Sequence, residues 1–280
     1  MKPNPNFQIH GHRGCRGLLP ENTIPAFGHA NKLGVDAIEL DVVISKDREV
    51  IVSHEPYFSH HFSTDPHGNA ISKWNEKKHN LYQLTTEEIQ TYDVGARGHA
   101  EFASQKELAT NKPTLKEAVS YIDNIRHDAN QEPMHYSIEI KRKKKWDDKF
   151  HPKAEPFVDL VLEAVTELQI RDRMSLLCFD LEVLEFMHKK APDIELVYLV
   201  DNFFSVERNM KRLSFKPDVY GPKHSLLNKK TVSYCKANDI DIVCWTANTV
   251  EEMKNLINLG VTGITTDYPD RLIGLRKRSK

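Results

Sequence analysis

Residues 35–44 form an almost continuously apolar run, the pattern of a β-strand that is covered by protein on both faces. After Asp36 near its start, only Glu39 and Asp41 interrupt it. These two acids are two positions apart, so their side chains leave the same face of a strand. Paired carboxylates inside an apolar strand repel each other and lose hydration unless a cation lies between them. The run therefore predicts a buried strand that presents a metal-binding pair.

Strand-like and helix-like segments alternate along the chain, as in a parallel sheet whose strands are joined by helices. Strand patterns occur at 7–14, 35–44, 135–140, 174–179, 194–200, 219–221, 240–245 and 263–266, and a short apolar run at 50–53 predicts a hairpin partner for the second strand. Helical patterns lie at 23–33, 115–125, 156–168, 181–190, 226–237 and 250–259. Eight strands in 280 residues favour a TIM (β/α)8 barrel in the α/β class. We therefore predict one domain over residues 1–280.

The segment from about residue 57 to residue 112 breaks this alternation. It is polar and rich in His, Asn and Lys, and we interpret it as an inserted cap over one end of the barrel. The pattern restarts at Thr114, a predicted helix cap that Glu117 would complete. The irregular spacing of the segment's histidines favours surface side chains over a second metal site; they are His60, His61, His67 and His79.

Charge and cysteine spacing exclude several classes of protein. The formal net charge of -1 gives no overall attraction to nucleic acid, so the expected partner is a small molecule whose phosphate is recognised locally. The four cysteines show no C-x-x-C spacing, which argues against a zinc knuckle or a disulfide framework. Residues 1–6 are polar and no run has transmembrane length, so we expect a cytoplasmic protein without stable membrane insertion. A leader removed beforehand would leave no trace, and the oligomeric state stays open.

Two histidines end strand patterns close together in the sequence. His12 follows the first strand, beside glycines that let a phosphate approach backbone N–H groups, and His54 follows the run at 50–53. On adjacent strands, they could flank a scissile P–O bond, one taking a proton and the other giving one. Arg13 offers bidentate geometry to phosphoryl oxygens. His10 shares the face of His12, and we interpret it as a hydrogen-bonded interior histidine.

Glu139 and Lys141 repeat the spacing of two at the end of the strand at 135–140, where barrel active sites lie. With Glu39 and Asp41, Glu139 supplies hard oxygen ligands that suit Mg²⁺ or Ca²⁺. The alternative is a buried Glu139–Lys141 ion pair without a metal. Trp245 ends another strand and either lines the substrate pocket or packs in the core.

Two interpretations are considered for the roles of several other polar residues. Asn22 and Thr23 either cap the first helix or orient Glu21 or His12. The basic run after Lys141, residues 142–145, is interpreted as a solvated loop and not as a nucleic-acid patch.

The ordered motifs resemble those of the glycerophosphodiester phosphodiesterases. They are His-Arg-Gly at 12–14, Pro-Glu-Asn-Thr at 20–23, Glu-Leu-Asp-Val at 39–42, a histidine at 54, Ile-Glu-Ile-Lys at 138–141 and Trp-Thr-Ala-Asn at 245–248. The resemblance spans residues 9–268 and implies a TIM barrel that hydrolyses glycerophosphodiesters to glycerol 3-phosphate and an alcohol, in glycerol and lipid metabolism. It implies one divalent cation on Glu39, Asp41 and Glu139. It also implies that His12 and His54 form the acid–base pair, and that Arg13 and Lys141 contact the phosphate.

Glu55 departs from the family pattern, which often has Asp after the second histidine, so we leave Glu55 out of the ligand set. Two alternatives to this function remain at this stage. A phospholipase D-like enzyme acting on lysolipids would need an apolar entrance, for which the aromatic residues of the insertion are sparse. A non-catalytic phosphate-binding barrel would be indicated by the loss of a histidine or a ligand, and none is missing.

Overall fold

The computed structural model describes residues 7–278, in which nine strands form one closed sheet. The strands are β1 (Gln8–Gly11), β2 (Ala37–Ile44), β3 (Val50–Val52), β4 (His135–Ile140), β5 (Met174–Cys178), β6 (Glu195–Val200), β7 (Val219–Pro222), β8 (Asp241–Cys244) and β9 (Gly263–Thr266). All except β3 pair in parallel around a ring, which β9 closes on β1. The predicted (β/α)8 barrel is confirmed. Residues 1–6, which contributed to the expectation of no membrane insertion, lie outside the described range.

Helices surround the ring. They are α1 (Ile24–Leu33), α2 (Thr86–Gln90), α3 (Leu115–Asp128), α4 (Ala154–Glu167), α5 (Leu181–Lys190), α6 (Val206–Met210), α7 (Lys229–Ala237), α8 (Val250–Leu259) and α9 (Pro269–Arg278). The predicted cap of α3 is present, because Thr114 and Glu117 form a reciprocal capping box. Helices α2, α6 and α9 lie outside the helical patterns predicted from the sequence. Within residues 7–278, no helix is both long and apolar enough to cross a bilayer.

Strand β2 shows how the alternation of its side chains builds two environments. Ile38, Leu40 and Val42 are buried in the large apolar cluster that joins the sheet to the helices. Glu39 and Asp41 leave the opposite face and meet Glu139 of β4 inside the barrel. The barrel also contains an apolar cluster of Leu177, Val197, Leu199, Val219 and Val243, with Leu177 of β5 directly opposite Glu139 of β4. The two-residue period predicted this division.

Strand β3 runs antiparallel to β2, with Val42 opposite Val52, as the hairpin interpretation predicted. It pairs outside the ring, however. β1 and β3 are both neighbours of β2 and are not hydrogen-bonded to each other. The prediction that His12 and His54 end adjacent strands is therefore wrong: they follow β1 and β3, which each pair with β2 but not with each other.

The segment 57–112 packs against the β2–β3 hairpin through its own apolar cluster, in which Phe58 stacks on Tyr92 with ring centroids 3.9 Å apart. It also contacts loops on both sides of the hairpin. The backbone N–H of Lys106 donates to the carbonyl of Leu18 after β1 (3.0 Å), and the Asn80 amide donates to the carbonyl of Lys149 after β4 (2.8 Å). The segment therefore forms a wall beside the end of the barrel at which the strands finish.

Cys15, Cys178, Cys235 and Cys244 are all buried and free. Burial raises the pKa of the Cys15 thiol to about 12, and this thiol donates a hydrogen bond to the carbonyl of Ala26. Such a thiol is a poor nucleophile at neutral pH.

Candidate active site

A cavity of about 260 Å³ lies inside the barrel and reaches the carboxyl ends of the strands. It brings together most of the predicted site residues: His12, Arg13, Glu39, His54, Glu139, Lys141 and Trp245. Asp41 joins them through its contacts with Glu39 and Glu139. The lining residues of this cavity include none from the segment 57–112. The interpretation of that segment as a cap over the barrel end therefore stays a prediction.

Glu39, Asp41 and Glu139 each place a carboxylate oxygen within 4.8 Å of the other two, and all three residues are buried. Neighbouring groups fix part of this set: the Arg13 backbone N–H donates to Glu39 Oε2 (2.8 Å), and the Asn22 amide donates to Asp41 Oδ2 (2.9 Å). Asp41 Oδ1 is buried and accepts no hydrogen bond from any described residue. A buried carboxylate oxygen without a donor is costly, which makes this oxygen a natural cation ligand.

Electrostatics also favours a cation at this position. Burial raises the pKa of Glu39 well above its ordinary value, and the Asp41 and Glu139 carboxylates raise it further. Burial raises the pKa of Glu139 as well, although Lys141 opposes the change. For Asp41 the effect of burial is outweighed by Arg13 and Lys141, which lower its pKa. The three oxygen ligands fit a divalent cation such as Mg²⁺ or Ca²⁺, whose charge would ionise Glu39.

His12 is held by a carboxylate that the sequence analysis did not single out. Its Nδ1 lies 2.6 Å from Oδ1 of Asp267, directly after β9. An ionised carboxylate only accepts, so Nδ1 carries the hydrogen and Nε2 is left as the basic nitrogen. Nε2 lies 3.9 Å from Glu39 Oε2. Burial lowers the pKa of His12 to about 4, against the opposing effect of Asp267, so the imidazole is neutral at pH 7.

Asp267 is itself fixed by two further groups. Arg16 Nε donates to its Oδ1 (2.8 Å), and the Asn248 amide donates to its Oδ2 (2.7 Å). Burial would raise the pKa of Asp267, but the His12 and Arg16 groups outweigh it and lower that pKa. The sequence signal for this residue is an acid directly after a strand, a position that Asp201 after β6 shares.

His54 has a similar partner in the next residue. Its Nδ1 lies 2.6 Å from Oε1 of Glu55, which again leaves Nε2 free. The two side chains are 30% and 28% exposed, against 11% for His12, so His54 is the more solvent-accessible of the two histidines. Burial would raise the pKa of Glu55, but the hydrogen-bonded His54 lowers it. Glu55 thus contacts His54, and it stands outside the cluster of three acids.

Arg13 and Asn22 depend on an unusual backbone, with φ values of 49° and 56° in the left-handed region. In this conformation Arg13 donates to Glu21 (2.7 Å) and its Nε lies 3.2 Å from Asp41 Oδ2. Asn22 and Thr23 have different roles. Thr23 caps α1. Asn22 orients Asp41, and not Glu21 or His12 as considered from the sequence.

Lys141 donates to Glu139 Oε1 (2.7 Å) and lies 3.6 Å from Asp41 Oδ1. The ion pair considered as an alternative is therefore present, within the cluster of acids. Trp245 lies in the cavity wall, where its ring meets Phe179 edge to face with centroids 5.3 Å apart. Its indole Nε1 donates to the carbonyl of Gly221 (2.8 Å).

The remaining predictions about polar residues have different outcomes. His10 is an interior histidine bonded to Ser137 (3.1 Å), as predicted. In the described part of the chain, Glu39, Asp41 and Glu139 are the one cluster able to hold a metal, and none of the histidines of segment 57–112 belongs to it. The interpretation of residues 142–145 as solvated is wrong for Arg142, whose side chain is buried and pairs with Asp147, Asp180 and Glu182.

The fold and this cavity together define an enzyme of the (β/α)8 class, with its candidate active site at the carboxyl ends of the barrel strands. Residues 12–271 match the model of the glycerophosphoryl diester phosphodiesterase family, and the chain belongs to this family. The resemblance in the sequence motifs is thereby confirmed.

Three similar proteins illustrate this relationship. A glycerophosphodiester phosphodiesterase of Bacillus altitudinis is 30% identical over 275 residues, which cover 98% of this chain and 99% of the relative. A lysophospholipase D of Homo sapiens is 24% identical, over 93% of this chain and 83% of its own length. A phosphodiesterase structure from Oleispira antarctica, in complex with the product sn-glycerol-3-phosphate, shares the fold with a TM-score of 0.75. That match is 22% identical and covers 95% of each chain.

Proposed function

We propose that this phosphodiesterase hydrolyses glycerophosphodiesters to glycerol 3-phosphate and an alcohol, using one divalent cation and the histidines His12 and His54. The observation that carries the proposal is the pair of imidazoles in one cavity, each bonded at Nδ1 to a carboxylate, beside a cluster of three buried acids. The activity of the Bacillus altitudinis relative and the product named for the Oleispira antarctica structure support the same substrate class.

Glu39, Asp41 and Glu139 would hold the cation. When bound, Mg²⁺ or Ca²⁺ supplies Lewis-acid polarisation of a phosphate oxygen and of a hydroxyl. Arg13 and Lys141 lie beside these acids and would offset the negative charge that grows on the phosphoryl group in the transition state. Trp245 forms one wall of the substrate pocket.

The attacking group in this proposal is the glycerol hydroxyl next to the ester oxygen. It lies within reach of phosphorus, and intramolecular attack of this kind gains an effective molarity of roughly 10⁵ M or more. One imidazole Nε2 takes the hydroxyl proton as the new O–P bond forms, and the other protonates the alcohol oxygen as its P–O bond breaks. Water then opens the cyclic phosphate with the proton transfers reversed, giving glycerol 3-phosphate.

A diester in which the glycerol 2-hydroxyl is replaced by hydrogen tests this route. We expect it to bind competitively and to resist cleavage, because it lacks the internal nucleophile. Cleavage as fast as that of the natural diester would show that water attacks phosphorus directly. Release of glycerol 3-phosphate from the choline, ethanolamine, glycerol and inositol diesters would measure the head-group preference and test the substrate class itself.

A lysophospholipase D activity is the second candidate, and the apolar wall of the cavity favours it. Leu177, Val197, Leu199 and Val243 line the cavity together with Trp245, and Phe179, which also lines it, is 40% exposed. Such a surface suits an acyl chain better than the polar head of a water-soluble diester. A higher kcat/KM for lysophosphatidylcholine than for glycerophosphocholine would support this candidate, and the reverse ratio would exclude it as the main activity. The single domain over residues 1–280, the cytoplasmic location and the role in lipid metabolism remain proposals alongside it.

A further inference from the structure

Three lysine ammonium groups surround the ring of Trp146, in the loop after β4. The Nζ atoms of Lys143, Lys145 and Lys77 lie 4.5, 5.8 and 6.0 Å from the ring centroid. Lys77 comes from the segment 57–112, so two parts of the chain that are distant in sequence supply this charge. Each ammonium gains from the aromatic face, but the three also repel one another.

Further exposed lysines lie next to these three in the sequence: Lys73 and Lys78 near Lys77, and Lys144 between Lys143 and Lys145. We call the whole set the Trp146 patch, and its members are Lys73, Trp74, Lys77, Lys78, Lys143, Lys144, Lys145 and Trp146; the lysines are all exposed. Of the acids interspersed among them, Asp147 pairs with the Arg142 cation (2.6 Å), and Glu76 is hydrogen-bonded to His60 (2.6 Å). Lys144 lies 3.8 Å from Glu182, yet its side chain remains 80% exposed. The patch is therefore locally cationic in a chain whose formal net charge is -1.

The electrostatics of Lys143 agree with this description. Burial lowers its pKa, and the neighbouring Lys141, Lys145 and Lys77 cations lower it further, against the opposing effect of the Glu55 carboxylate. A site of positive potential in which lysines disfavour one another's charge is stabilised when an anionic partner approaches.

Trp74 adds an exposed apolar group three residues before Lys77 in the chain. Its side chain is 95% exposed and follows Lys73 directly. An indole has an apolar body and one N–H donor, and tryptophan is enriched where protein meets the headgroup level of a bilayer. Exposed tryptophan beside clustered lysines is the combination by which peripheral proteins bind anionic membranes.

The patch adjoins the mouth of the catalytic cavity. Lys143 is two residues beyond Lys141, which lines that cavity. Tyr57 is three residues beyond His54, and its ring lies 6.3 Å from the ring of Trp146, centroid to centroid. A surface bound by the patch would therefore lie close to the entrance used by substrate.

We propose that the Trp146 patch docks this enzyme on an anionic lipid surface, with its lysines against lipid phosphates and Trp74 at the headgroup level. Exposed lysines spread over two loops suit an extended surface of charge better than a single phosphate ion. A single-stranded nucleic acid would need several free aromatic faces for its bases, and the Trp146 ring is already occupied by lysines. The proposal stands on this surface and is independent of the reaction proposed above.

Sedimentation of the full chain with vesicles tests the docking. We expect binding to vesicles of equimolar phosphatidylcholine and phosphatidylglycerol, weakening in high salt, and little binding to phosphatidylcholine alone. The variant K77Q/K143Q/K145Q should bind the anionic vesicles on the order of a hundredfold more weakly, at about fivefold per lysine. The matched control K116Q/K236Q/K254Q removes three exposed lysines from the outer helices and should bind like the unaltered chain.

Catalytic activity and tryptophan fluorescence provide two further measurements. Both triple variants should keep the kcat/KM of the unaltered enzyme for water-soluble glycerophosphocholine, which shows that they fold. W74F should lose most of the blue shift in tryptophan emission that anionic vesicles produce. Absence of vesicle binding, or an equal loss in the control variant, would overturn the proposal. Tighter binding to a single-stranded RNA oligonucleotide than to vesicles at the same salt would also overturn it.

Discussion

Glu39→Gln should stabilise the metal-free protein while it removes most of the activity. Two like charges 4.8 Å apart repel by about 3.5 kcal/mol at an effective dielectric constant of about 20, and Glu39 faces two such neighbours. Arg13 and Lys141 offset part of this repulsion. At pH 7 the electrostatic cost of an ionised Glu39 is also limited to about 3.4 kcal/mol, because Glu39 can instead bind a proton. Protonation costs about 1.36 kcal/mol for each pH unit above the ordinary pKa of 4.5. We therefore expect Glu39→Gln to raise the free energy of unfolding by about 1–3 kcal/mol.

The sign of the pH dependence follows from the raised pKa of Glu39. Above pH 4.5 the folded state binds more protons at this carboxyl than the unfolded state, so its contribution to stability falls as pH rises. The advantage of the variant should accordingly shrink to almost nothing near pH 4.5. A divalent cation at a hundredfold excess over its Kd should stabilise the unaltered protein by about 2.7 kcal/mol and the variant by much less. Activity should fall by about 10³-fold or more, since a charged ligand of the cation is lost.

Urea unfolding in chelator and in Mg²⁺ or Ca²⁺, at several pH values, measures all of these differences. Glu251→Gln, at an exposed position on α8, is the matched control and should change neither stability nor activity. The reasoning fails if Glu39→Gln is less stable than the unaltered protein in chelator at pH 7. It fails equally if both proteins gain the same stability from the cation, or if chelator leaves full activity.

Three other predictions concern groups around the same cavity. Asp267→Asn should lower kcat by about 10²-fold with little change in KM, because His12 loses the carboxylate that fixes its tautomer; an unchanged kcat in steady-state kinetics would contradict this. Burial lowers the pKa of His12 to about 4, so this residue contributes stability that is complete above pH 6.5 and is lost as pH falls through about 4. His12→Asn should flatten the stability profile between those values in urea unfolding, and a parallel profile would refute the shift. Trp245→Ala should raise KM for glycerophosphocholine by about tenfold and leave kcat nearly unchanged, and a loss confined to kcat would argue against its role as a pocket wall.

The parts of the site that follow from local pattern could be predicted from the sequence. A strand has a period of two, so Glu39 with Asp41, and Glu139 with Lys141, had to share a face once their strands were recognised. The parallel arrangement of neighbouring strands β2 and β4 then places Asp41 opposite Glu139. Strand periodicity and parallel order together are sufficient to assemble the three acids.

The groups that hold the histidines and acids in place depend on contacts that no local pattern contains. Asp267 and His12 are 255 residues apart in the chain and meet because β9 closes the ring on β1. Asn22 reaches Asp41 because its own backbone lies in the left-handed region. In that region the direction of a side chain is decided by hydrogen bonds and packing and not by the spacing of residues. The ion pair between Arg142 and Asp180 likewise joins the loops that follow β4 and β5. The segment 57–112 could be interpreted as an inserted cap from its polar composition, but its packing could not be predicted, because its apolar cluster is shared with β2 and β3.

The seam between β1 and β9 joins the first and last strands of the barrel, and it also carries the His12–Asp267 pair. During synthesis a ribosome-bound chain can form most of the sheet before β9 emerges, but it cannot assemble that pair. Catalytic competence would then appear only when the seam closes, after β9 has been made. A nascent chain or a proteolytic fragment that lacks β9 should therefore have no catalytic activity, even if its remaining strands are paired. Activity restored by adding the missing strand back as a peptide would report ring closure directly.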